Sequence, residues 1–245
     1  MRIGIDISQV IYGTGVSSYT KNLVRALLAQ DKENEYVLFG GSLRRKKELE
    51  AFVSDLKGNV ESKIYPIPPT LADFLWNRLH ILKIERLLGQ LDAFHSSDWS
   101  QPPTKAFKVT TVHDLVPLRF PRLSHSRIVS AHKARLERIK KEVDVVIVPS
   151  LASKEDLMSI GVAEEKIRVI PEAPSPIFKS AKKSEIENLK RKHRIKKGYL
   201  LAVGIGPRKG TERIIEAYEK VRAGLNLKLV IIGHPYKKIE QKRGV

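Results

Sequence analysis

Val145-Val146-Ile147-Val148-Pro149-Ser150 is a run of β-branched residues that ends in a helix-capping serine. Ser150 suits the N-cap of the helical stretch Leu151 to Ile160, and Gly161 stands where such a helix would end. An apolar strand that leads directly into a helix is typical of a parallel sheet, because helices cover both faces of such a sheet. This stretch therefore predicts an α/β fold.

The alternation of strand and helix extends from this stretch in both directions. Runs rich in β-branched residues alternate with segments of helical spacing, such as Val16 to Gln30, where Tyr19, Leu23 and Leu27 share one face. We therefore predict a Rossmann-like parallel sheet covered by helices. Its seven predicted strands are Arg2 to Ser8, Glu35 to Gly40, Ser62 to Ile67, Asp92 to His95, Lys108 to His113, Asp144 to Val148 and Lys166 to Ile170.

A change of pattern after the seventh strand indicates a domain boundary. Three prolines lie between Pro171 and Pro176, and a lysine-rich stretch from Ser180 to Lys197 follows them. We place the first domain at residues 1–178 and the second at 179–245. The second domain contains two predicted strands and one predicted helix, Tyr199 to Val203, Lys228 to Ile232 and Thr211 to Ala223. Because so small a unit cannot bury a core, we expect it to be an incomplete Rossmann-like domain.

Composition and charge exclude several classes of protein. The chain has 245 residues, no cysteine and a net charge of +18. Disulfides, thiolate metal sites and a cysteine nucleophile are therefore excluded, and the cytoplasm is the expected location. No apolar run reaches the roughly 18 residues that would cross a bilayer. The excess of basic residues lies mostly beyond Lys179 and would attract nucleic acid, anionic lipid or phosphorylated ligands alike.

Two glycines stand at the start of the first predicted helix, in Gly13-Thr14-Gly15. Glycines at a helix N-terminus let backbone amides approach an anion, which the positive end of the helix also attracts. The pattern is only G-x-G-x-x-S, and several residues separate it from the first strand, which weakens a dinucleotide-binding interpretation. A flexible turn is the alternative.

Polar groups follow two central strands of the predicted sheet. Open α/β sheets bind their ligands at the carboxyl ends of strands. The strand Lys108 to His113 ends in His113-Asp114, and the strand before it leads into His95, Ser96, Asp98 and Trp99. This mixture suits a sugar, whose hydroxyls need hydrogen-bond partners while its C–H face stacks on a ring. We therefore predict acceptor-binding residues here, with ordinary polar strand ends as the alternative: His95, Ser96, Trp99 and Asp114.

The loop Gly204 to Gly210 repeats the arrangement of strand, glycines and helix in the second domain. It carries Arg208 and Lys209 beside the predicted helix N-terminus. Cations and backbone amides together form a good site for a diphosphate. A solvated turn is the alternative, and a solvated surface is the simplest interpretation of the basic run Lys190 to Arg194.

Taken in order, these segments resemble group 1 retaining glycosyltransferases of the GT-B fold, and among them the mannosyltransferase-like members. The resemblance extends from the first strand to Gly233. It rests on the Gly13-Thr14-Gly15 loop, Thr111-Val112-His113-Asp114-Leu115-Val116-Pro117, Val146-Ile147-Val148-Pro149-Ser150 with Ser153-Lys154-Glu155-Asp156-Leu157, Glu165-Lys166-Ile167-Arg168-Val169-Ile170-Pro171 and Pro207-Arg208-Lys209-Gly210.

The resemblance implies two Rossmann-like domains that face a cleft, the first binding mainly the acceptor and the second mainly the nucleotide-sugar. By that likeness Gly13 to Gly15 meet the donor phosphates, His113 borders the donor sugar at the catalytic centre, and Arg208 with Lys209 neutralises the diphosphate. No metal or other cofactor is expected, because those cations take the place of a metal. In retaining members the departing phosphate takes the acceptor proton, so no base is assigned, and Asp98 is a catalytic candidate for testing.

The resemblance also implies what the second domain lacks. The loop Gly204 to Lys209 is about one residue shorter than the family loop and carries Ile205 where many relatives have a polar residue. The two glutamates that bind the donor sugar and ribose in the family would lie beyond Gly233, so the chain is expected to be truncated and inactive alone. The implied function is transfer of a hexose, mannose or glucose, from a nucleotide-sugar to a glycan or lipid-linked acceptor. The basic stretch beyond Lys179 is expected to attach the enzyme peripherally to an anionic membrane.

Three other functions remain open from the residues. A sugar-nucleotide epimerase of the same fold would use a phosphate site and would need paired carboxylates for acid–base chemistry. An NADP-dependent oxidoreductase would use Gly13 to Ser18 as its fingerprint and Arg44-Arg45 on a 2′-phosphate. A non-catalytic nucleic-acid-binding protein would use the basic tail, whereas a glycosyltransferase is not expected to bind nucleic acid.

Overall fold

A computed structural model describes residues 1–196, 198–206, 209–224 and 227–233. The chain divides into two compact units, Met1–Ser175 and a second unit that begins at Pro176. This division lies within the proline-rich segment, whereas the sequence analysis places it after residue 178. Arg208, a predicted phosphate-binding residue, and Pro207 lie outside the described residues.

The first unit contains one seven-stranded sheet whose strands are all parallel. Its order is β3-β2-β1-β4-β5-β6-β7, so the direction of strand addition reverses between β1 and β4. A reversal of this kind opens a crevice at the carboxyl ends of the strands. The predicted α/β, Rossmann-like fold class is confirmed. The strands are β1 (Arg2–Asp6), β2 (Glu35–Gly41), β3 (Val60–Tyr65), β4 (Ala93–Ser96), β5 (Phe107–Thr111), β6 (Val145–Val148) and β7 (Ile167–Val169).

Helices cover both faces of this sheet. In β2, Tyr36 and Leu38 enter one apolar core, and the alternate residues Val37 and Phe39 enter another, around Trp76. Successive side chains of a strand point to opposite faces, so each face has its own core. The helices of the first unit are α1 (Gly15–Gln30), α2 (Lys46–Ser54), α3 (Pro69–Ala72), α4 (Glu85–Leu88), α5 (Val116–Arg119), α6 (Ser126–Glu142) and α7 (Leu151–Ser159), with a π-helical segment at Asp73–Arg78 after α3.

The second unit contains a pair of parallel strands and two helices among its described residues. β8 (Gly198–Val203) pairs with β9 (Leu227–Ile232), and α9 (Thr211–Val221) connects them. The buried Tyr218 of α9 donates its hydroxyl to the carbonyl of Leu227 at 2.9 Å, which ties the helix to the sheet. The lysine-rich stretch, for which the sequence predicts no helix, contains the helix α8 (Lys183–Lys192). None of the residues of α8 is buried.

Candidate functional site

Three loops of the first unit meet at the carboxyl edge of its sheet. β1, β4 and β5 are adjacent and parallel, so the segments that follow them emerge side by side. The side chain of Gln9, after β1, accepts from the backbone N–H of Asp98, after β4, at 3.1 Å. At the end of β5, Thr111 places its hydroxyl 2.9 Å from Nε2 of His95. These contacts form a polar cleft at the reversal of strand order.

The glycine loop lies exposed at the N-terminus of α1. Gly13 has φ of +67°, a left-handed conformation that L residues other than glycine rarely adopt. Thr14 is the N-cap, and its hydroxyl accepts from the N–H of Ser17 at 3.2 Å. A Cβ at Gly13 or Gly15 would meet only open space, so the backbone is accessible here. The hydroxyl of Ser17 donates to the carbonyl of Gln9 at 2.6 Å, which joins the loop to the cleft.

A histidine from each of β4 and the loop after β5 lines the cleft. Burial, together with the nearby His113 and Arg135, lowers the pKa of His95 to about 4, so its imidazole is neutral at physiological pH. The ring of Tyr19, on α1, meets the ring of His113 edge to face at 4.8 Å. Tyr19 also places its hydroxyl 3.2 Å from that of Thr111. The cleft therefore presents the neutral imidazole of His95 and the hydroxyls of Tyr19 and Thr111 beside an aromatic ring.

Asp98 is held by a buried arginine. Arg135, on α6, is 1% exposed, and its guanidinium donates to the carboxylate of Asp98 at 3.1 Å. The same guanidinium donates to the hydroxyl of Thr110 and the carbonyl of Thr111, at 3.1 and 2.9 Å. Arg135 thereby fixes the end of β5 and the loop after β4 relative to each other.

The other predicted acceptor residues have different surroundings. Ser96 is buried, and its hydroxyl donates to Oε1 of Gln101 at 2.8 Å. Trp99 lines a second cleft with Asp6 and Tyr12, on the side of β1 toward β2. Asp114 is exposed, and its carboxylate accepts from the N–H of Val116 at 3.0 Å. The structure thus brings His95, Asp98 and His113 together, while Trp99 and Asp114 lie beside them.

In the second unit, the loop before α9 has the predicted arrangement in its described part. Gly204 and Gly210 have φ of +89° and +65°. Lys209 is exposed, and its aliphatic stem lies so close to Gly204 that a Cβ there would be 3.0 Å from Cγ of the lysine. The hydroxyl of Thr211 receives a hydrogen bond from the N–H of Gly206 at 3.1 Å. These contacts shape the loop around the start of a helix.

Sequence reasoning missed five residues that form the edge. Two of them carried a usable signal, since Arg135 falls on the inward stripe of α6 and Tyr19 on the predicted inward face of α1. Asp6 is buried at the end of β1. Burial raises the pKa of its carboxyl above the usual value, although hydrogen bonds from Ser8 offset part of the effect. Contacts with residues distant in sequence define the others. The missed residues are Asp6, Gln9, Tyr19, Arg135 and Glu172.

The part of the chain that the structure describes contains neither a cluster of metal-binding side chains nor a membrane-spanning helix. Within residues 1–196, 198–206, 209–224 and 227–233, there is no group of three or more histidine, aspartate and glutamate side chains that could hold a metal ion. In the same part of the chain, every helix is too short or too polar to span a lipid bilayer.

The sequence of this chain resembles a known protein family, and its fold resembles solved structures. The sequence model described as Glycosyltransferase Family 4 matches residues 13–173, more than half of the chain. No curated protein matches the sequence. The matched segment begins at the glycine loop and contains His95, Asp98, His113 and Glu172.

Solved structures share the fold of this chain. HepE from Anabaena, solved with UDP and glucose, is 15% identical over 94% of this chain, with a TM-score of 0.57. The match covers 60% of the HepE chain. A UDP-GlcNAc 2-epimerase from Neisseria meningitidis, bound to UDP-GlcNAc, is 10% identical over 96% of this chain and 66% of its own, with a TM-score of 0.50. At these identities the likeness is one of fold alone, and it agrees with the predicted GT-B type of fold.

Proposed function

The chain belongs to Glycosyltransferase Family 4, and on this basis we propose that it forms part of an enzyme that transfers a sugar from a nucleotide-sugar to an acceptor hydroxyl. One observation carries the proposal: the glycine loop, His95, Asp98 and His113 meet at the carboxyl edge of the sheet, where the strand order reverses. Clefts at such reversals are the usual ligand sites of open α/β sheets.

In this proposal the first unit, predicted at residues 1–178, binds the acceptor and contacts the donor. The neutral imidazole of His95 lines the cleft and can bond a sugar hydroxyl, and Trp99, which lines the second cleft, offers a ring for the C–H face of the acceptor. The exposed Gly13 to Gly15 backbone is suited to a phosphate, because α1 begins there and the positive N-terminal end of a helix attracts anions. His113 borders the transferred sugar.

The second unit, predicted at residues 179–245, supplies the diphosphate site in this proposal. Lys209 with the N-terminus of α9 provides a cation beside backbone amides, and Arg208 is proposed as a second cation. As the glycosidic bond breaks, negative charge develops on the leaving diphosphate, and these groups would stabilise it. A retaining, metal-independent transfer of a hexose such as mannose or glucose is the specific form that we propose.

Asp98 is less suited to be a base than its position suggests. Its carboxylate is engaged by the buried guanidinium of Arg135, and its side chain is 14% exposed. A carboxylate that is held by a buried cation in this way is not free to approach the hydroxyl of an acceptor. We therefore propose that Asp98 orients the loop after β4, and that the departing phosphate oxygen takes the acceptor proton.

Direct ligand binding tests the proposal against its alternatives. The chain is titrated with UDP-glucose, GDP-mannose and a short RNA, with binding followed by calorimetry. We expect weak binding of at least one nucleotide-sugar. RNA binding that weakens with salt, together with no response to any nucleotide-sugar, would contradict the proposal and support a nucleic-acid-binding protein. Formation of a C2 epimer from UDP-GlcNAc would instead identify an epimerase.

An NADP-dependent oxidoreductase has less support from the structure. Arg45, which would contact a 2′-phosphate, forms a two-point ion pair with Glu48, with nitrogen–oxygen distances of 2.6 and 2.5 Å. Its guanidinium also lies 5.9 Å from the ring of Tyr12. An arginine engaged in this way would have to release both partners to bind a phosphate.

Replacing Lys209 with alanine is expected to weaken nucleotide-sugar binding by roughly 1 to 3 kcal/mol, about 5- to 150-fold, because a charge-assisted hydrogen bond to the diphosphate is lost. Calorimetry on the variant measures the change. Lys220→Ala is the matched control, since Lys220 is an exposed cation in the last turn of α9, at the end of that helix away from Lys209. Equal affinities of the two variants would remove Lys209 from the diphosphate site.

Peripheral attachment to an anionic membrane is a second part of the proposal. α8 is an exposed basic helix in which Ile186 and Leu189, 40% and 50% exposed, share one face. Basic helices with an exposed apolar face bind anionic bilayers. We expect sedimentation with vesicles that contain phosphatidylglycerol, at about 1 kcal/mol per well-placed cation.

The apolar face provides the control for this expectation. Replacing both Ile186 and Leu189 with serine should reduce the bound fraction severalfold, whereas Ser184→Ala on the same helix should leave it unchanged. Equal sedimentation with vesicles of neutral phosphatidylcholine alone would show that α8 does not recognise an anionic surface.

A further inference from the structure

Two neighbours from different elements hold the ring of His113. Nδ1 of His113 lies 2.6 Å from Oε1 of Glu172, which follows β7. On another side, the ring of Tyr19 meets the histidine ring at an interplanar angle of 84°. The side chain of His113 is 14% exposed and that of Glu172 is 42% exposed. The imidazole therefore has a defined orientation at the edge of the cleft.

The contact with Glu172 decides which ring nitrogen carries the proton. An ionised carboxylate only accepts hydrogen bonds, so Nδ1 must donate. In a neutral imidazole the other nitrogen, Nε2, is then an acceptor. Among the residues that the structure describes, Nε2 of His113 has no hydrogen-bond partner, although its ring lines the cleft beside His95 and Asp98.

Glu172 is the charged side chain that contacts the ring of His113. Tyr19 is neutral, because burial raises the pKa of its phenol. His95 is neutral, because its pKa is lowered to about 4. Asp114, the next residue, directs one carboxylate oxygen to the N–H of Val116.

We propose that Glu172 is a positioning residue, which fixes His113 in the tautomer protonated at Nδ1 so that Nε2 accepts a hydrogen bond from a hydroxyl of the bound ligand. This inference rests on the proposed function, because it takes the ligand to be a sugar. A hydroxyl is the matching group, since an unprotonated nitrogen accepts a proton donor and offers no positive charge to a phosphate.

The tautomer can be measured without any enzymatic activity. Long-range ¹H–¹⁵N correlation spectra of the ¹⁵N-labelled chain at neutral pH distinguish a protonated from an unprotonated ring nitrogen, and His113→Gln identifies the signals. We expect a protonated Nδ1 in the unmodified chain and a loss of this preference in Glu172→Gln. A protonated Nε2 in the unmodified chain, or identical His113 signals in Glu172→Gln, would overturn the inference.

Two further variants separate positioning from a general effect on the fold. Glu164→Gln is the matched control, because Glu164 is also exposed and paired, with Lys154 at 2.6 Å, and should leave the His113 signals unchanged. Glu172→Asp keeps the carboxylate and should restore part of the Nδ1–H signal. Failure of Glu172→Asp to differ from Glu172→Gln would count against a role for the carboxylate.

Binding then tests the hydroxyl. Glu172→Gln should weaken the binding of a nucleotide-sugar by roughly two- to tenfold, the scale of one hydrogen bond. UDP without a sugar should bind equally to the unmodified chain and to Glu172→Gln. A changed tautomer with unchanged nucleotide-sugar affinity would overturn the part of the inference that concerns the ligand. If the tautomer behaves as expected but no variant binds any nucleotide-sugar, the proposed function fails and the positioning of His113 by Glu172 stands.

Discussion

Replacing Arg135 with methionine should lower the free energy of unfolding of the first unit by about 3 kcal/mol, the scale measured for removal of one partner from a buried ion pair. Arg135 is 1% exposed, and its loss would leave the carboxylate of Asp98 partly buried without its cation. It would also leave the carbonyl of Thr111 without the N–H that now donates to it. The expected fall in melting temperature is about 10 °C.

Tryptophan fluorescence during urea unfolding is the appropriate measurement. The chain has two tryptophans, Trp76 and Trp99, and both lie in the first unit, so the signal reports on that unit alone. Lys133→Met is the control, because Lys133 is exposed on the same helix and its replacement should change stability by less than about 0.5 kcal/mol.

A second substitution checks the cause of the destabilisation. If the unpaired carboxylate produces it, Asp98→Asn in the Arg135→Met background should recover part of the loss. An Arg135→Met protein as stable as Lys133→Met would contradict the assignment of this ion pair. A loss that Asp98→Asn does not relieve would assign the effect to the contacts of Arg135 with β5.

Acid should destabilise the first unit through His95, by about 3 kcal/mol between neutral pH and pH 4. The folded protein holds the pKa of His95 at about 4, below the value of 6.5 for an unperturbed histidine. Between these values the unfolded chain binds a proton that the folded chain excludes, so protonation favours unfolding. The stability is fully present above about pH 6.5 and falls as the pH drops toward 4.

The measurement compares urea unfolding of the unmodified chain and His95→Gln from pH 7 to pH 4. His95→Gln should lose about 3 kcal/mol less over this window, since it has no imidazole to protonate. Burial also lowers the pKa of His132 and raises that of Asp6, which have opposite effects on the pH dependence of stability. Both groups are present in the unmodified chain and in His95→Gln, so they do not contribute to the difference between the two. The exposed His193→Gln should behave like the unmodified chain. Parallel pH profiles for all three would show that His95 does not control acid stability.

The strands could be predicted from sequence because the residue types within each strand determine its conformation. β6 is four β-branched residues in a row, and the sequence places it within one residue of its observed start. Ser150 and Thr14 carry the cap hydrogen bonds expected of such residues at helix starts. The sequence does not predict α8, because its many lysines indicate a solvated surface. None of its side chains is buried in the structure.

The site was only partly predictable, because its contacts join distant segments. Positions at strand ends located His95, Asp98 and His113 along the chain. Nothing near Glu172 in sequence indicates that it would meet His113, from which it is separated by 59 residues. Gln9 likewise contacts Asp98 across 89 residues. Such pairs form only because the order of the strands in the sheet brings distant segments together. The periodicity of the sequence predicts where each strand lies along the chain, but not that order.

A nascent chain cannot complete this sheet in the order in which it is synthesised. β1 lies between β2 and β4, and Ile3 pairs with Ala93, so the amino-terminal strand keeps one open edge until about ninety further residues have emerged. Pairings that close such long loops form slowly. We infer that β1 keeps an uncovered edge during translation until β4 emerges, and that the cleft, which lies between β1 and β4, is among the later features of the first unit to form.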